Sequence, residues 1–151
     1  MTDIATATAT DTAAAIAHFE RKLRYETDPS DVRWAQLAGE NLLLVDSRGD
    51  AAWAQGRAAG AVHLPTAQIA ARATAEIAAG TEVIVYCWSP GCNGSTKAAL
   101  EFARLGYTVR EMIGGFEYWA REGYPVLDDN GPIHRNVDEL TGPRDAINCD
   151  C

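Results

Sequence analysis

The sequence is poor in cysteine, in basic residues and in long apolar runs, and each shortage excludes a class of protein. Its 151 residues include only four cysteines, too few for a small disulfide scaffold. Lysine and arginine number 13 against 21 aspartates and glutamates, and the formal charge of −8 argues against a nucleic-acid-binding surface. No apolar run approaches the roughly 20 residues that a membrane-spanning helix requires.

The beginning of the chain also lacks the features of a secretion signal. Residues 1–15 have neither the basic start nor the apolar stretch that such a signal combines. We therefore expect a cytoplasmic protein with no nucleic-acid or membrane partner. A chain of this length buries roughly two-thirds of its unfolded surface on folding, which is enough for one core, and we expect one domain.

Composition and periodicity divide the chain into a leader, a helix, a domain and a tail. We assign these four parts to residues 1–11, 12–29, 30–127 and 128–151. The leader is rich in Thr and Ala and has no apolar periodicity, so we expect it to be flexible. The tail has polar turns and little periodicity, and it ends in Cys-Asp-Cys.

The helical segment is amphipathic. Ala15, Ile16, Phe19 and Leu23 recur at helical spacing, while charged residues fill the opposite face. The pattern predicts that this helix packs on the body of the protein by its apolar stripe.

Within the domain, short apolar runs alternate with helical patterns, which predicts an α/β fold with a central parallel sheet of four to five strands flanked by helices. The run Leu42-Leu43-Leu44-Val45 is continuous, as in a strand buried on both faces. Asp46 and Arg48 follow it, and Cys87 follows a second such strand, Glu82–Tyr86. Carboxyl ends of parallel strands meet at one edge, where ligands bind in open α/β sheets.

Cys87 opens a loop that leads into the next helix, and we predict that its thiol is a nucleophile. A helix N-terminus gathers unpaired N–H groups and the positive end of the helix dipole, which stabilise a thiolate. We expect Ser95 and Thr96 to cap the helix, and Gly91 and Gly94 to adopt positive φ so that backbone amides turn inward as an anion nest. The predicted substrate-binding loop comprises Trp88, Ser89, Pro90, Gly91, Cys92, Asn93, Gly94, Ser95 and Thr96.

Four segments, in consistent order, resemble the rhodanese-like sulfurtransferase domain. They are Val45-Asp46-Ser47-Arg48, Gly60-Ala61-Val62-His63-Leu64-Pro65, Val83-Ile84-Val85-Tyr86-Cys87, and Gly114-Gly115-Phe116-Glu117-Tyr118-Trp119 followed by Gly123-Tyr124-Pro125-Val126. The resemblance covers about residues 30–127 and implies the rhodanese-like fold.

The resemblance also implies a sulfurtransferase that needs no cofactor or metal. In such an enzyme the Cys87 thiolate takes a sulfane sulfur from a donor such as thiosulfate or mercaptopyruvate. The resulting Cys87 persulfide passes the sulfur to a thiol or cyanide acceptor. The small sulfur donor and the thiol acceptor are then the expected partners.

The loop departs from the usual family pattern in length and in charge. Seven residues separate Cys87 from Ser95, where family members usually have five, and residues 88–96 contain no basic side chain. A phosphatase of related fold requires an arginine that closes this loop, so that class is disfavoured. If a cation serves Cys87 it must come from elsewhere; Arg48 is the first candidate, although it could instead pair with a carboxylate such as Asp46.

Several alternatives stay open at the level of sequence. Cys92 is either a resolving thiol for Cys87 or a small apolar side chain that points inward. Cys149 and Cys151 could relay sulfur, form a redox pair, supply two metal ligands or have no function. The alternatives to a sulfurtransferase are a thiol redox or peroxide-sensing protein that uses Cys87 and Cys92, and a non-enzymatic rhodanese-like binding module.

Overall fold

The protein is built around a sheet of five strands, and every pair of neighbours in it is parallel. A computed structural model describes residues 8–141. The strands lie in the order β1 (Glu26–Thr27), β6 (Val109–Met112), β5 (Glu82–Tyr86), β2 (Leu42–Asp46) and β4 (Val62–His63). The predicted α/β fold with a central parallel sheet of four to five strands is confirmed.

Helices cover both faces of this sheet. They are α1 (Ala9–Tyr25), α2 (Pro29–Ala38), α3 (Asp50–Gln55), a 3-10 turn (Thr66–Gln68), α4 (Ile69–Glu76), α5 (Gly94–Arg104) and α6 (Gly115–Arg121). Alternate residues of β5 supply the two cores: Ile84 and Tyr86 pack on the side of α2 and α6, and Val83 and Val85 pack on the side of α4 and α5. Burial on both faces is why this strand is continuously apolar.

The ends of α2 show how local sequence sets the helix boundaries. Asp28 caps the helix by accepting a hydrogen bond from the Asp31 N–H at 2.9 Å, and Pro29 occupies the first helical position. Gly39 ends the helix in the left-handed conformation at a φ of 70°.

A second, antiparallel sheet lies beside the first. It consists of β3 (Arg57–Ala58), β7 (Val126–Asp128) and β8 (Gly131–Ile133), in that order. Its strands are two or three residues long, too short to produce a periodic pattern. The beginning of the predicted tail therefore forms a hairpin with the end of the predicted domain.

The prediction that α1 packs by its apolar stripe is wrong. The helix has no buried residue, and Ile16, Phe19 and Leu23 are 55%, 61% and 79% exposed. The helix runs directly into edge strand β1, and its main contacts with the sheet are with β1 and β6. Among residues 8–141, no helix is both long and apolar enough to cross a bilayer.

Candidate active site

Cys87 lies immediately after β5, at the edge where β2 and β5 end together. Asp46 and Tyr86 are register partners at the ends of these strands. The Cys87 side chain is 7% exposed, and seven residues later the chain enters α5. The strand ending thus places the thiol beside the start of a helix, as the sequence pattern predicts.

The N-terminus of α6 holds the backbone around Cys87 in place. The N–H of Phe116 donates to the Cys87 carbonyl at 2.9 Å, and the N–H of Glu117 donates to the Trp88 carbonyl at 2.8 Å. Gly115, at a φ of 63°, makes this approach possible, since a Cβ there would lie 2.7 Å from the Cys87 carbonyl oxygen. The second glycine of the Gly114-Gly115 motif is therefore a requirement of the loop backbone.

A disulfide joins Cys87 to Cys92, with their Cα atoms 6.2 Å apart. A turn brings the two together, because the Cys92 N–H donates to the Ser89 carbonyl at 3.0 Å. Two orientations were considered for Cys92, toward Cys87 or into the protein. In the structure its sulfur faces Cys87. Cys149 and Cys151, for which redox and metal-binding roles were considered, lie outside the described residues.

The prediction that Gly91 and Gly94 form a nest with positive φ is wrong, because neither has a positive φ. Gly94 is the first residue of α5 and has helical geometry. A Cβ at Gly94 would lie 2.6 Å from the sulfur of Cys87 and 3.3 Å from that of Cys92. Glycine is needed here because the helix backbone approaches both sulfurs.

A cavity of about 380 Å³ opens beside Cys87. Seven residues of the predicted loop line it: Ser89, Pro90, Gly91, Cys92, Asn93, Ser95 and Thr96. The rest of the lining comes from α1, β1, β6 and the turn between β6 and α6, and includes Lys22, Glu26, Glu111, Met112 and Ile113. Trp88 and Gly94, also predicted for the loop, are not part of this lining.

The prediction that Ser95 or Thr96 caps α5 is also wrong. The helix already begins at Gly94 after Asn93, so both hydroxyl residues lie within its first turn. Instead, the Ser95 and Thr96 hydroxyls donate to Oε2 of Glu111 at 3.0 and 2.9 Å. A carboxylate is thereby held beside the start of α5, where the helix dipole favours negative charge.

Lys22 and Glu111 are site residues that the sequence analysis missed. Among the described residues, Lys22 is the only cationic side chain that lines the cavity, and it pairs with Glu26 at 2.8 Å. The lining therefore carries two carboxylates and one ammonium group. The spacing of Lys22 and Glu26 is a recognisable helical pair, but no sequence pattern indicates that α1 reaches Cys87.

Asp46 and Arg48 form a buried ion pair, which is the structural alternative considered for Arg48. The Arg48 guanidinium donates to both carboxylate oxygens of Asp46, at 2.6 and 2.9 Å, and to the Gly56 carbonyl at 2.6 Å. The Tyr86 hydroxyl also donates to Asp46, at 2.7 Å. Burial raises the pKa of Tyr86 far above its ordinary value, and the Asp46 charge raises it further, so Tyr86 remains a donor.

Trp88 covers this pair from the solvent side. The guanidinium carbon of Arg48 lies 4.2 Å from the Trp88 ring centroid and 4.4 Å from that of Phe116. Such contacts stabilise a cation over an aromatic face. Arg48 thus packs behind Trp88 and is not among the side chains that line the cavity at Cys87.

Comparison with known proteins finds relatives that are named as sulfurtransferases. A "Sulfurtransferase" of Allochromatium vinosum is 38% identical over 93 residues, which are 61% of this chain and 84% of that protein. "Thiosulfate sulfurtransferase GlpE" of Actinobacillus succinogenes is 36% identical over 94 residues, 62% of this chain and 82% of that protein.

A solved structure matches the fold of this chain, and a family model matches its sequence. The crystal structure of the BH2092 protein from Bacillus halodurans superposes with a TM-score of 0.74 at 38% identity, and the match covers 80% of this chain and 88% of that one. The model of the rhodanese-like domain matches residues 31–122, which contain β2, β5, the Cys87 loop and α6. The chain belongs to the rhodanese-like domain family.

Proposed function

We propose that the protein is a sulfurtransferase that carries sulfur on Cys87. The thiolate attacks the outer sulfur of thiosulfate, breaking its S–S bond and releasing sulfite, or the thiol sulfur of mercaptopyruvate, breaking its C–S bond and releasing pyruvate once the carbon has taken the thiol proton. The Cys87 persulfide then passes its outer sulfur to a thiol or to cyanide. The observation that carries this proposal is the position of Cys87, at a strand end beside a cavity and the start of α5, in a rhodanese-like chain.

Activation of the thiol depends on its surroundings. An ordinary cysteine has a pKa of about 8.5, and a helix N-terminus or a nearby cation lowers it. Gly94 lets the first turn of α5 approach the Cys87 sulfur closely, so the helix dipole and the backbone amides of α5 are the main source of stabilisation. Lys22 adds a cation across the cavity.

Intact-mass analysis of the reduced protein tests the proposal. After incubation with thiosulfate or mercaptopyruvate, we expect the chain to gain the mass of one sulfur atom or to show the products of its transfer. Cys87→Ser should gain none from either donor. Sulfur uptake by Cys87→Ser equal to that of the unmodified chain would contradict the proposal.

A second candidate function is a thiol redox protein, and the Cys87–Cys92 disulfide is the observation that favours it. In that role a peroxide oxidises Cys87 to a sulfenic acid, and Cys92 condenses with it to form the disulfide and release water. Stopped-flow oxidation of the reduced protein separates the two functions. A redox sensor reacts rapidly with hydrogen peroxide and takes no sulfur from thiosulfate or mercaptopyruvate.

A further inference from the structure

We infer that Cys92 is a resolving thiol that discharges the Cys87 persulfide, so that the protein releases sulfane sulfur as sulfide and ends the half-reaction as a disulfide. The inference rests on the proposed function, because it requires a persulfide on Cys87. It adds a further activity, persulfide reduction, to the transfer of sulfur to an external acceptor.

The two sulfurs of a persulfide offer two points of attack, and the geometry favours one of them. Attack by Cys92 on the inner sulfur, the Sγ of Cys87, forms the Cys87–Cys92 bond that the structure contains. Attack on the outer sulfur would move that sulfur to Cys92 and would leave the two Sγ atoms unbonded. The loop thus brings Cys92 to the atom whose substitution expels sulfide.

The step is balanced without an external oxidant. The Cys87 inner-to-outer S–S bond breaks as the Cys87–Cys92 S–S bond forms, and the outer sulfur leaves as hydrosulfide with the bonding electron pair. The outer sulfur is reduced, the two cysteine sulfurs are together oxidised to a disulfide, and the proton of the Cys92 thiol passes to the departing outer sulfur.

The loop places Cys92 next to Cys87 at the end of β5. The turn closed by the Cys92 N–H and the Ser89 carbonyl points Cys92 back toward the strand end. Gly94 leaves the space beside both sulfurs that any larger residue would fill.

Exposure of the two cysteines determines how the disulfide is reduced again. Cys87 is 7% exposed, whereas Cys92 is only half buried and lines the open cavity. An external dithiol reductant therefore reaches the sulfur of Cys92 first and forms a mixed disulfide there. Cys87 leaves as the thiolate beside α5, ready for the next donor.

A single-turnover experiment tests the inference. The parent is a Cys149→Ser/Cys151→Ser chain, reduced, freed of reductant and kept anaerobic, so that only the loop cysteines react. The donors are thiosulfate, mercaptopyruvate and inorganic polysulfide; the last loads thiolates without a donor-binding site. Released sulfide and intact mass are measured on the parent, on its Cys92→Ser variant and on its Cys87→Ser variant.

We expect the parent to release about one sulfide per chain and to lose the mass of two hydrogens. The Cys92→Ser chain should instead retain one added sulfur and release at least about tenfold less sulfide. Sulfide release by the parent that is matched by disulfide formation supports the inference even if Cys92→Ser does not fold.

Two results would overturn it. A parent chain that retains its persulfide with Cys92 free, or that carries the added sulfur on Cys92, refutes the resolving role and leaves the sulfurtransferase intact. Failure of the parent and of the Cys92→Ser chain either to gain sulfur or to release sulfide with any donor refutes the proposed function itself. The two failures are therefore distinguishable.

Discussion

Asp46 and Arg48 show what single residues contribute at the edge where the site forms. Arg48 is 4% exposed and its carboxylate partner Asp46 is fully buried. Because water reaches neither group, each charge is stabilised mainly by the opposite charge of its partner. Removal of one member of a buried pair leaves an uncompensated charge, which costs about 3–5 kcal/mol. We expect Asp46→Asn to lower the free energy of unfolding by this amount, as measured by urea denaturation.

An exposed pair provides the control for this prediction. Glu101 and Arg104 are in contact at 2.7 Å on the surface of α5, and Glu101→Gln should have almost no effect because water solvates both charges. Equal destabilisation by the two variants would contradict the assignment of Asp46 and Arg48 as a structural pair.

Gly115 leads to a second prediction at the same scale. An alanine there combines left-handed strain with a Cβ 2.7 Å from the Cys87 carbonyl oxygen. Gly39 has a similar φ of 70° but open space around it, so Gly39→Ala isolates the strain, about 1 kcal/mol. We expect Gly115→Ala to destabilise by at least about 2 kcal/mol more and to reduce kcat/KM, because the loop must move.

Urea denaturation measures the stability of the Gly39→Ala and Gly115→Ala variants, and steady-state kinetics measures their kcat/KM. If Gly39→Ala and Gly115→Ala lose equal stability and keep equal kcat/KM, the contact between α6 and the Cys87 loop has no functional role.

Sequence patterns predicted the position of Cys87 better than the contacts of the residues around it. The position of Cys87 follows from a local feature, an apolar run that ends in a glycine-rich loop, and β5 ends one residue before it. The hydrogen bonds of Ser95 and Thr96 depend instead on Glu111, which belongs to the next strand. A capping rule that considers only neighbouring residues cannot include such a competitor.

Two elements, α1 and β6, bring opposite charges to the cavity beside Cys87. Helix α1 supplies Lys22 to the cavity, whereas β6 supplies Glu111. For an anionic donor such as thiosulfate, Lys22→Ala should raise KM about fivefold, and Glu111→Gln should lower it by a similar factor. The opposite signs follow from the opposite charges, and both effects should shrink as the ionic strength rises.

Steady-state assays over a range of thiosulfate concentrations measure these shifts, and an uncharged sulfur donor is the control. With that donor both variants should have the KM of the unmodified chain. A change of KM in the same direction for both variants would exclude an electrostatic role for the cavity wall.

At the scale of the whole molecule, α1 is peripheral to folding although it borders the cavity. Because α1 has no buried residue, we expect a chain without residues 1–24 to unfold cooperatively, with a free energy of unfolding within about 1 kcal/mol of the full chain. Its KM for thiosulfate should rise as it does in Lys22→Ala. Loss of the cooperative transition would show that α1 is part of the folding unit.

The overall architecture was largely predictable, because β2 and β5 are buried on both faces and their apolar runs are therefore unambiguous. Two features were not. Strand β1 and the strands β3, β7 and β8 are only two or three residues long, and β1 and β3 pair with strands that are distant in sequence. The exposed apolar stripe of α1 has the same periodicity as a stripe that packs against a core. The pattern alone therefore could not show whether these side chains are buried or exposed.

The central claim is that Cys87 carries the sulfur, and the rate of thiocyanate formation from thiosulfate and cyanide by Cys87→Ser tests it most directly. The side chains differ by one atom, and a serine hydroxyl forms no persulfide. We predict that kcat/KM falls at least about a thousandfold relative to the unmodified chain, while the unfolding transition of the reduced proteins is retained. A Cys87→Ser protein that folds and keeps the unmodified rate would contradict the account.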